Sequence, residues 1–469
     1  MRITSVRSQG LAHLSYFVAS EGEAMVIDPR RDVGVYLELT KQEASEIVHI
    51  FETHRNEDYV IGSLELQYHI PRARIGHSSA THFEYGNNSL GDGDIFRIGD
   101  MQVSCISTPG HTDDSMCYVI ADITVSEDPL AVFTGDTLFV NEVGRTDLVD
   151  IKKHEVMSRK LFKSLHEKLL PLGDGVIVYP GHGAGSVCGG DIGSREFTTI
   201  GYERANNKWF HMNEEEFVKA KLRQNLTLSS HFRHCEHLNT VGPPILAQMP
   251  DPKMLDSDSF DNLLKQDGYV AVDTRSADFF VCGHIPGAIS VPMSGMGMYA
   301  GWILRPDETL LLVLERPDDL KQALAYLHRV GFDNVAGYLG PGMDGWYDSG
   351  KQRATVLTYS IEQVKELHES GAAGILDVRQ PHETEKEYID GASFMPLTEI
   401  RDSNMPLSVS SQNVIMCHGG VRGTSAASIL LRKGAKNYGV SLDSLSGWKI
   451  RGYPLATKGD KSTRPEEES

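Results

Sequence analysis

The C-terminal part of this chain carries one pattern twice, and that repeat constrains the fold more than any other feature. Tyr269-Val270-Ala271-Val272-Asp273-Thr274-Arg275, followed by Gly283-His284-Ile285-Pro286-Gly287-Ala288, matches Gly374-Ile375-Leu376-Asp377-Val378-Arg379 followed by Tyr388-Ile389-Asp390-Gly391-Ala392. Each copy continues with an apolar strand, a helical stretch rich in Ala and Leu, a turn, and a Gly just before Trp346 or Trp448. A period of about 100 residues implies two homologous domains, each with its own core. We read them as α/β domains over 256–355 and 356–457.

Only the second copy carries a nucleophile. In Val414-Ile415-Met416-Cys417-His418-Gly419-Gly420-Val421-Arg422-Gly423-Thr424-Ser425 a buried strand delivers Cys417 into a glycine-rich turn, and a helix starts at once. Backbone N–H groups of such a turn point at the sulfur, and the helix N-terminus adds positive potential. Both favour a thiolate or the terminal sulfur anion of a persulfide. The loop resembles the active-site loop of rhodaneses, which implies that Cys417 carries sulfane sulfur with Arg422 close by. In the first copy Leu311-Leu312-Val313-Leu314 runs into Glu315-Arg316-Pro317-Asp318-Asp319, without cysteine or glycines. A carboxylate accepts no sulfane sulfur and repels the anion held there, so 256–355 is expected to be an inactive rhodanese-like domain used for packing or oligomerisation. Cys282 lies outside the loop position and is expected to be structural.

Residues 1–240 form the remaining domain. Short apolar runs such as Ala24–Ile27 and Ala131–Thr134 end in polar, chemically able residues, which is where αβ folds present side chains to substrate. The pattern turns helical and polar from Ser194, and Val241-Gly242-Pro243-Pro244 with Met249-Pro250-Asp251-Pro252 marks a linker over 241–255. The charged tail 458–469 is expected to be disordered.

Four segments of the first domain carry candidate ligands: Thr53-His54-Arg55-Asn56-Glu57-Asp58-Tyr59, Thr108-Pro109-Gly110-His111-Thr112, Phe133-Thr134-Gly135-Asp136-Thr137 and Tyr179-Pro180-Gly181-His182-Gly183. Their order and spacing resemble the metallo-β-lactamase superfamily, implying an αββα sandwich. That family carries Thr-His-x-His-x-Asp-His in the first segment, whereas here Asn56 and Tyr59 stand where it has histidines. The resemblance then leaves His54, His111 and Asp136 as ligands of one metal. Two imidazoles and a carboxylate with open positions suit non-haem Fe(II), although three protein ligands and a water also describe a zinc site. Asp58 and His182 are expected to act as hydrogen-bonding groups behind the ligands.

The thinned set is similar to persulfide dioxygenases, which implies one Fe(II) per chain. By the same resemblance Arg145, in Gly144-Arg145-Thr146-Asp147, grips a substrate carboxylate, and Tyr179 hydrogen-bonds the persulfide or oxygen. Cys188, in a glycine-crowded segment after His182, is expected at the edge of the site, where it relays sulfur.

Composition excludes other classes. The balance of 45 basic against 64 acidic residues, a net charge of −19, argues against a nucleic-acid surface. No apolar run is long enough for a membrane span, and six cysteines without a Cys-x-x-Cys pair make neither a disulfide scaffold nor a zinc finger. The expectation is a cytoplasmic homo-oligomer, dimer or tetramer, that oxidises a low-molecular-weight thiol persulfide, of glutathione, coenzyme A or similar, with O2 to sulfite. Cys417 then passes sulfur to sulfite, giving thiosulfate, as in sulfide detoxification. The alternative is a zinc-dependent thioester hydrolase of the glyoxalase II type with an accessory rhodanese. A third reading is a sulfur carrier whose metal domain is only a scaffold.

Overall fold

The computed structural model describes residues 1–457 except 149, 187, 225, 227 and 405–407. The tail expected to be disordered lies outside the described residues. The chain divides into two compact units, one made of Met1–Met249 with His328–Gly331 and one of the remainder.

In the first unit two six-stranded sheets face each other. One runs in the spatial order Arg2–Ser8, His13–Ser20, Glu23–Ile27, Glu46–Phe51, Arg74–Ser78, Asn88–Leu90. The other runs Thr198–Thr199, Ile177–Pro180, Ala131–Gly135, Met116–Asp122, Met101–Ser107, Ile95–Ile98. Strand alternation builds the layer between them: Met101, Val103 and Cys105 are buried while Gln102, Ser104 and Ile106 are less so. These three pack with Tyr16, Met25, Phe51, Tyr118 and Phe133 from both sheets in one apolar cluster. The outer face of the first sheet is covered by Tyr36, Leu39 and Leu66 from the helices Gly34–Gln42 and Ser63–His69. Leu161 and Leu165, from His154–Lys163 and its continuation Ser164–Leu169, and Phe217, from the helix Glu214–Leu222, cover the second. The result is the αββα sandwich. Met101–Ser107, Ala131–Gly135 and Ile177–Pro180 point the same way, because the first two are each antiparallel to Met116–Asp122 and the third is parallel to the second. Their C-terminal ends therefore share one edge, and His111, Asp136 and His182 follow those ends.

The second unit holds two five-stranded sheets of one topology. The first runs Lys253–Leu255, Val335–Leu339, Thr309–Val313, Tyr269–Asp273, Ile289–Ser290. The second runs Leu357–Thr358, Lys436–Val440, Ser408–Met416, Ala373–Asp377, Ser393–Phe394. All their pairings are parallel. Lys253–Leu255 pairs as an edge strand, although it falls in the segment read as linker. The repeat extends to single hydrogen bonds. Arg275 grips Asp273 and donates to the Gly283 carbonyl, as Arg379 grips Asp377 and donates to that of Glu387. Trp346 and Trp448 each donate their indole N–H to a carbonyl six residues on.

Register relocates one expectation about the first copy. Asp273 pairs with Val313 and Asp377 with Met416, so the residue facing Cys417 across the repeat is Leu314, and Glu315 corresponds to His418. Leu314 is buried, and the chain passes through the turn Pro317–Asp319 into the helix Leu320–Arg329. A cavity of about 370 Å³ remains at this end, lined by Arg275, Leu314, Glu315 and Tyr338 among others.

Among the described residues no helix is long and apolar enough to cross a membrane.

Candidate functional site

His54 follows the strand Glu46–Phe51 of the first sheet, opposite the three ligand-bearing ends of the second. Its ring is fixed from behind: Nδ1 lies 2.9 Å from the Thr53 hydroxyl, which donates to Asp28 Oδ2 at 2.7 Å, while the Thr53 N–H donates to Asp28 Oδ1. Burial raises the Asp28 carboxyl to about 6 despite the nearby His54. Gly135, at φ +48°, lets the second sheet approach this relay, since a Cβ there would lie 2.4 Å from Thr53 Oγ1. His111 is fixed in the same manner, its Nδ1 3.0 Å from the Arg145 carbonyl. Asp136 Oδ1 bonds His182 Nδ1 at 2.8 Å, and His182 Nε2 is 3.0 Å from Asp58 Oδ2.

What these anchors leave over is a convergent set of donors. His54 Nε2, His111 Nε2 and Asp136 Oδ2 are buried with no hydrogen-bond partner, and the ligand atoms of the three residues lie within 4.8 Å of one another. Orphaned buried polar atoms are costly in a folded protein. Three of them, each with its other polar atom anchored, fit a bound cation. Electrostatics agree: burial alone would raise the Asp136 carboxyl, but His182, His111 and His54 hold it well below the usual carboxylate range. Burial opposes charge on His111, and the Glu57 and Asp136 carboxylates outweigh it, raising its value to about 9. A divalent ion in the cluster would take the place of those protons.

The two substituted positions are engaged by other groups. Asn56 donates to the His54 carbonyl at 3.2 Å, and the Tyr59 ring stacks on His13 at 3.9 Å between centroids. Asn239 ties down the loop by donating to the carbonyls of Asn56 and Tyr59.

Two side chains singled out in the sequence are engaged by neighbouring groups. Arg145 is buried and its guanidinium fork is closed on Asp147, with Nε to Oδ1 at 2.7 Å and Nη2 to Oδ2 at 2.8 Å. Its Nη2 also donates to the Leu226 carbonyl at 3.2 Å. What Arg145 offers the site is its carbonyl, bonded to His111. Tyr179 lies on a strand whose alternation turns its ring between the sheets, where it stacks on Phe133 at 5.2 Å and meets Tyr16 edge-on. It faces the apolar layer instead of a persulfide.

Cys188 reaches the centre, its Sγ 3.6 Å from Glu57 Oε1. Burial first, then the carboxylates of Asp58, Asp136 and Glu57, push its thiol well up. Sequence reasoning passed over Glu57. Its spacing of three from His54 on a loop with other ligands was the available signal.

In the second unit Cys417 is buried beneath exposed His418 and Gly419. The Gly420 N–H donates to its sulfur at 3.1 Å, with Gly420 at φ +85° as the residue before the helix Val421–Arg432. Arg422, from the first turn, closes its guanidinium on Glu383, one contact at 2.9 Å, and its charge acts on the sulfur from there. Ser444, unmarked in the sequence, accepts the Cys417 N–H at 3.2 Å and lies 3.9 Å from the sulfur.

Two family models match this layout: the metallo-beta-lactamase superfamily over 9–182 and the rhodanese-like domain over 256–349 and 360–451. The chain carries a metallo-beta-lactamase domain followed by two rhodanese-like domains. A crystal structure described as a metallo-beta-lactamase from Staphylococcus aureus superposes with a TM-score of 0.65 at 27% identity, covering 72% of this chain and 98% of that one. The probable hydroxyacylglutathione hydrolase of Schizosaccharomyces pombe is 31% identical over 33% of this chain, and the match spans only 56% of the hydrolase. The mitochondrial persulfide dioxygenase of Mus musculus is 27% identical over 44% of this chain and 73% of its own length. The metallo-beta-lactamase domain is thus similar to proteins of two chemistries, and the residues at 56 and 59 bear on the choice between them.

Proposed function

We propose that this protein is an Fe(II)-dependent persulfide dioxygenase with a sulfurtransferase domain. The observation that carries the reading is the loss of two imidazoles from the metal loop, with Asn56 bonded to the His54 carbonyl and Tyr59 stacked on His13 beside three orphaned donors. A hydrolytic pair of zinc ions needs the histidines that those positions lack, whereas a single open ion has room for two small ligands. The similarity to the persulfide dioxygenase supports the same choice.

In this reading His54, His111 and Asp136 hold one Fe(II), which supplies the electronic coupling between O2 and the outer sulfur of a thiol persulfide. The overall reaction is RSSH + O2 + H2O giving RSH, SO3²⁻ and two protons. Asp28 through Thr53 and the Arg145 carbonyl hold the two rings in their ligating tautomers. Asp58 and His182 keep Asp136 oriented. At the second site the Cys417 sulfur attacks the outer sulfur of another persulfide, RSH leaves, and sulfite takes that sulfur from Cys417 to give thiosulfate and the free thiol. The Gly420 N–H and the charge of Arg422 stabilise the sulfur anion between the two transfers. Cytoplasmic sulfide detoxification is the setting this chemistry fits.

Metal analysis with O2 uptake on glutathione and coenzyme A persulfides tests the reading. One iron per chain and persulfide-dependent O2 uptake, lost in His111→Ala, is the expected result. Two zinc ions with thioesterase activity would replace it by the hydrolase reading, and a metal-free, O2-inert protein by the carrier.

A further inference from the structure

The three donors of the metal site do not exhaust what faces it. Glu57 is 5% exposed, and its carboxylate lies between the two ligand imidazoles, Oε1 3.4 Å from His111 Nε2 and Oε2 3.8 Å from His54 Nε2. Oε2 has no hydrogen-bond partner, the condition already met by His54 Nε2, His111 Nε2 and Asp136 Oδ2. Donors about 2.0–2.2 Å from one ion lie roughly 3–4.4 Å from each other. The shortest separations to Glu57, one from each of its oxygens, fall in that window, as does the 3.5 Å between His111 Nε2 and Asp136 Oδ2, and a Glu57 oxygen also lies within 4.8 Å of a ligand atom of Asp136 and of the Cys188 sulfur.

We infer that Glu57 is a fourth protein donor to the metal, so that the ion is held by two imidazoles and two carboxylates. The inference rests on the metal reading above. It explains the composition of the loop: the segment that gives up imidazoles at 56 and 59 places a carboxylate at 57, the intervening position of the family pattern. A second carboxylate brings the protein charge at a divalent ion to balance and shifts the preference from zinc toward harder Fe(II) or Mn(II). In an octahedral ion it leaves two positions for two small reactants.

Cobalt-substituted protein tests this, with O2 uptake of the iron form measured in parallel. Glu57→Gln keeps the shape of the side chain and removes its charge, and circular dichroism checks its fold. The expected result is a changed visible Co(II) spectrum and at least a tenfold weaker Co(II) affinity by chelator competition. A cysteine is then placed at 57 with Cys188→Ser removing the neighbouring thiol. If position 57 ligates, this Glu57→Cys protein shows a thiolate-to-Co(II) charge-transfer band that Cys188→Ser alone lacks. An unaltered Co(II) spectrum in Glu57→Gln together with no band in Glu57→Cys overturns the assignment. The two readings fail separately. A spectrum that depends on Glu57 in a protein that consumes no O2 keeps the fourth donor and sinks the dioxygenase, and persulfide-dependent O2 uptake with a Glu57-independent spectrum does the reverse.

Discussion

Each of the two convergent imidazoles of the candidate site is held by a partner that itself has a reason to be there. Asp28 accepts two hydrogen bonds from Thr53, and Thr53 meets His54 Nδ1. Thr53→Val keeps the volume and cuts this relay, so metal affinity should fall about 10–100-fold. Chelator competition measures it, and an unchanged affinity would mean that the ring is oriented by something else. Tyr59→His acts in the opposite direction. With Asp58 and His182 in place it rebuilds the second half of a dinuclear set, and metal analysis should then find a second ion. That His54, His111 and Asp136 would converge and that Cys417 would sit in a glycine turn was legible because each is embedded in its own motif. Arg145 and Tyr179 were not, since their roles depend on where a side chain points. Arg145 has an acidic partner two residues away, and Tyr179 obeys strand alternation. The motif text carries neither fact.

At the scale of the element, the sulfur loop depends on the pairing of Arg422, at the start of one helix, with Glu383 from the short helix Pro381–Thr384. Burial alone would raise the Glu383 carboxyl, and Arg422 outweighs burial and holds it below its ordinary value of 4.5. A carboxylate depressed in the folded state stabilises the fold above the unfolded value and loses that contribution as pH falls through the folded one. Wild type should therefore exceed Glu383→Gln by about 1.5–3 kcal/mol near neutral pH, and the difference should shrink as pH falls below 4.5 and through the lower folded value. Thermal unfolding of both proteins across that range checks it, and a pH-independent difference would assign the effect to shape instead of charge. The offset between Glu315 and Leu314 has an element-scale cause. The run Leu310–Leu314 is continuously apolar, so nothing in its text marks where pairing ends, and only the register with Tyr269–Asp273 does. The two domains of the repeat, by contrast, could be read directly, because Asp-x-Arg and Gly-Ala recur at fixed offsets.

For the molecule as a whole, two chemistries on one chain should separate cleanly. Removing the metal with a chelator is expected to abolish O2 uptake and leave sulfur transfer from thiosulfate to cyanide intact, because Gly420 and Ser444, which hold Cys417, belong to the second unit. Loss of both activities together would show that the rhodanese needs the metal domain. Cys417→Ser should do the converse, consuming persulfide and O2 while releasing sulfite in place of thiosulfate. Joining the sites on one chain raises the effective concentration of sulfite at the second. The ligand geometry also bears on the mechanics of the first unit. His54 leaves one sheet while His111 and Asp136 leave the other, so an ion shared by them rivets the open edge of the sandwich. Stripping it should let the two layers part there first, seen as faster amide exchange over 53–60 and 108–112 while the apolar layer stays protected. Occupancy would then be legible to a protease before it is legible in turnover.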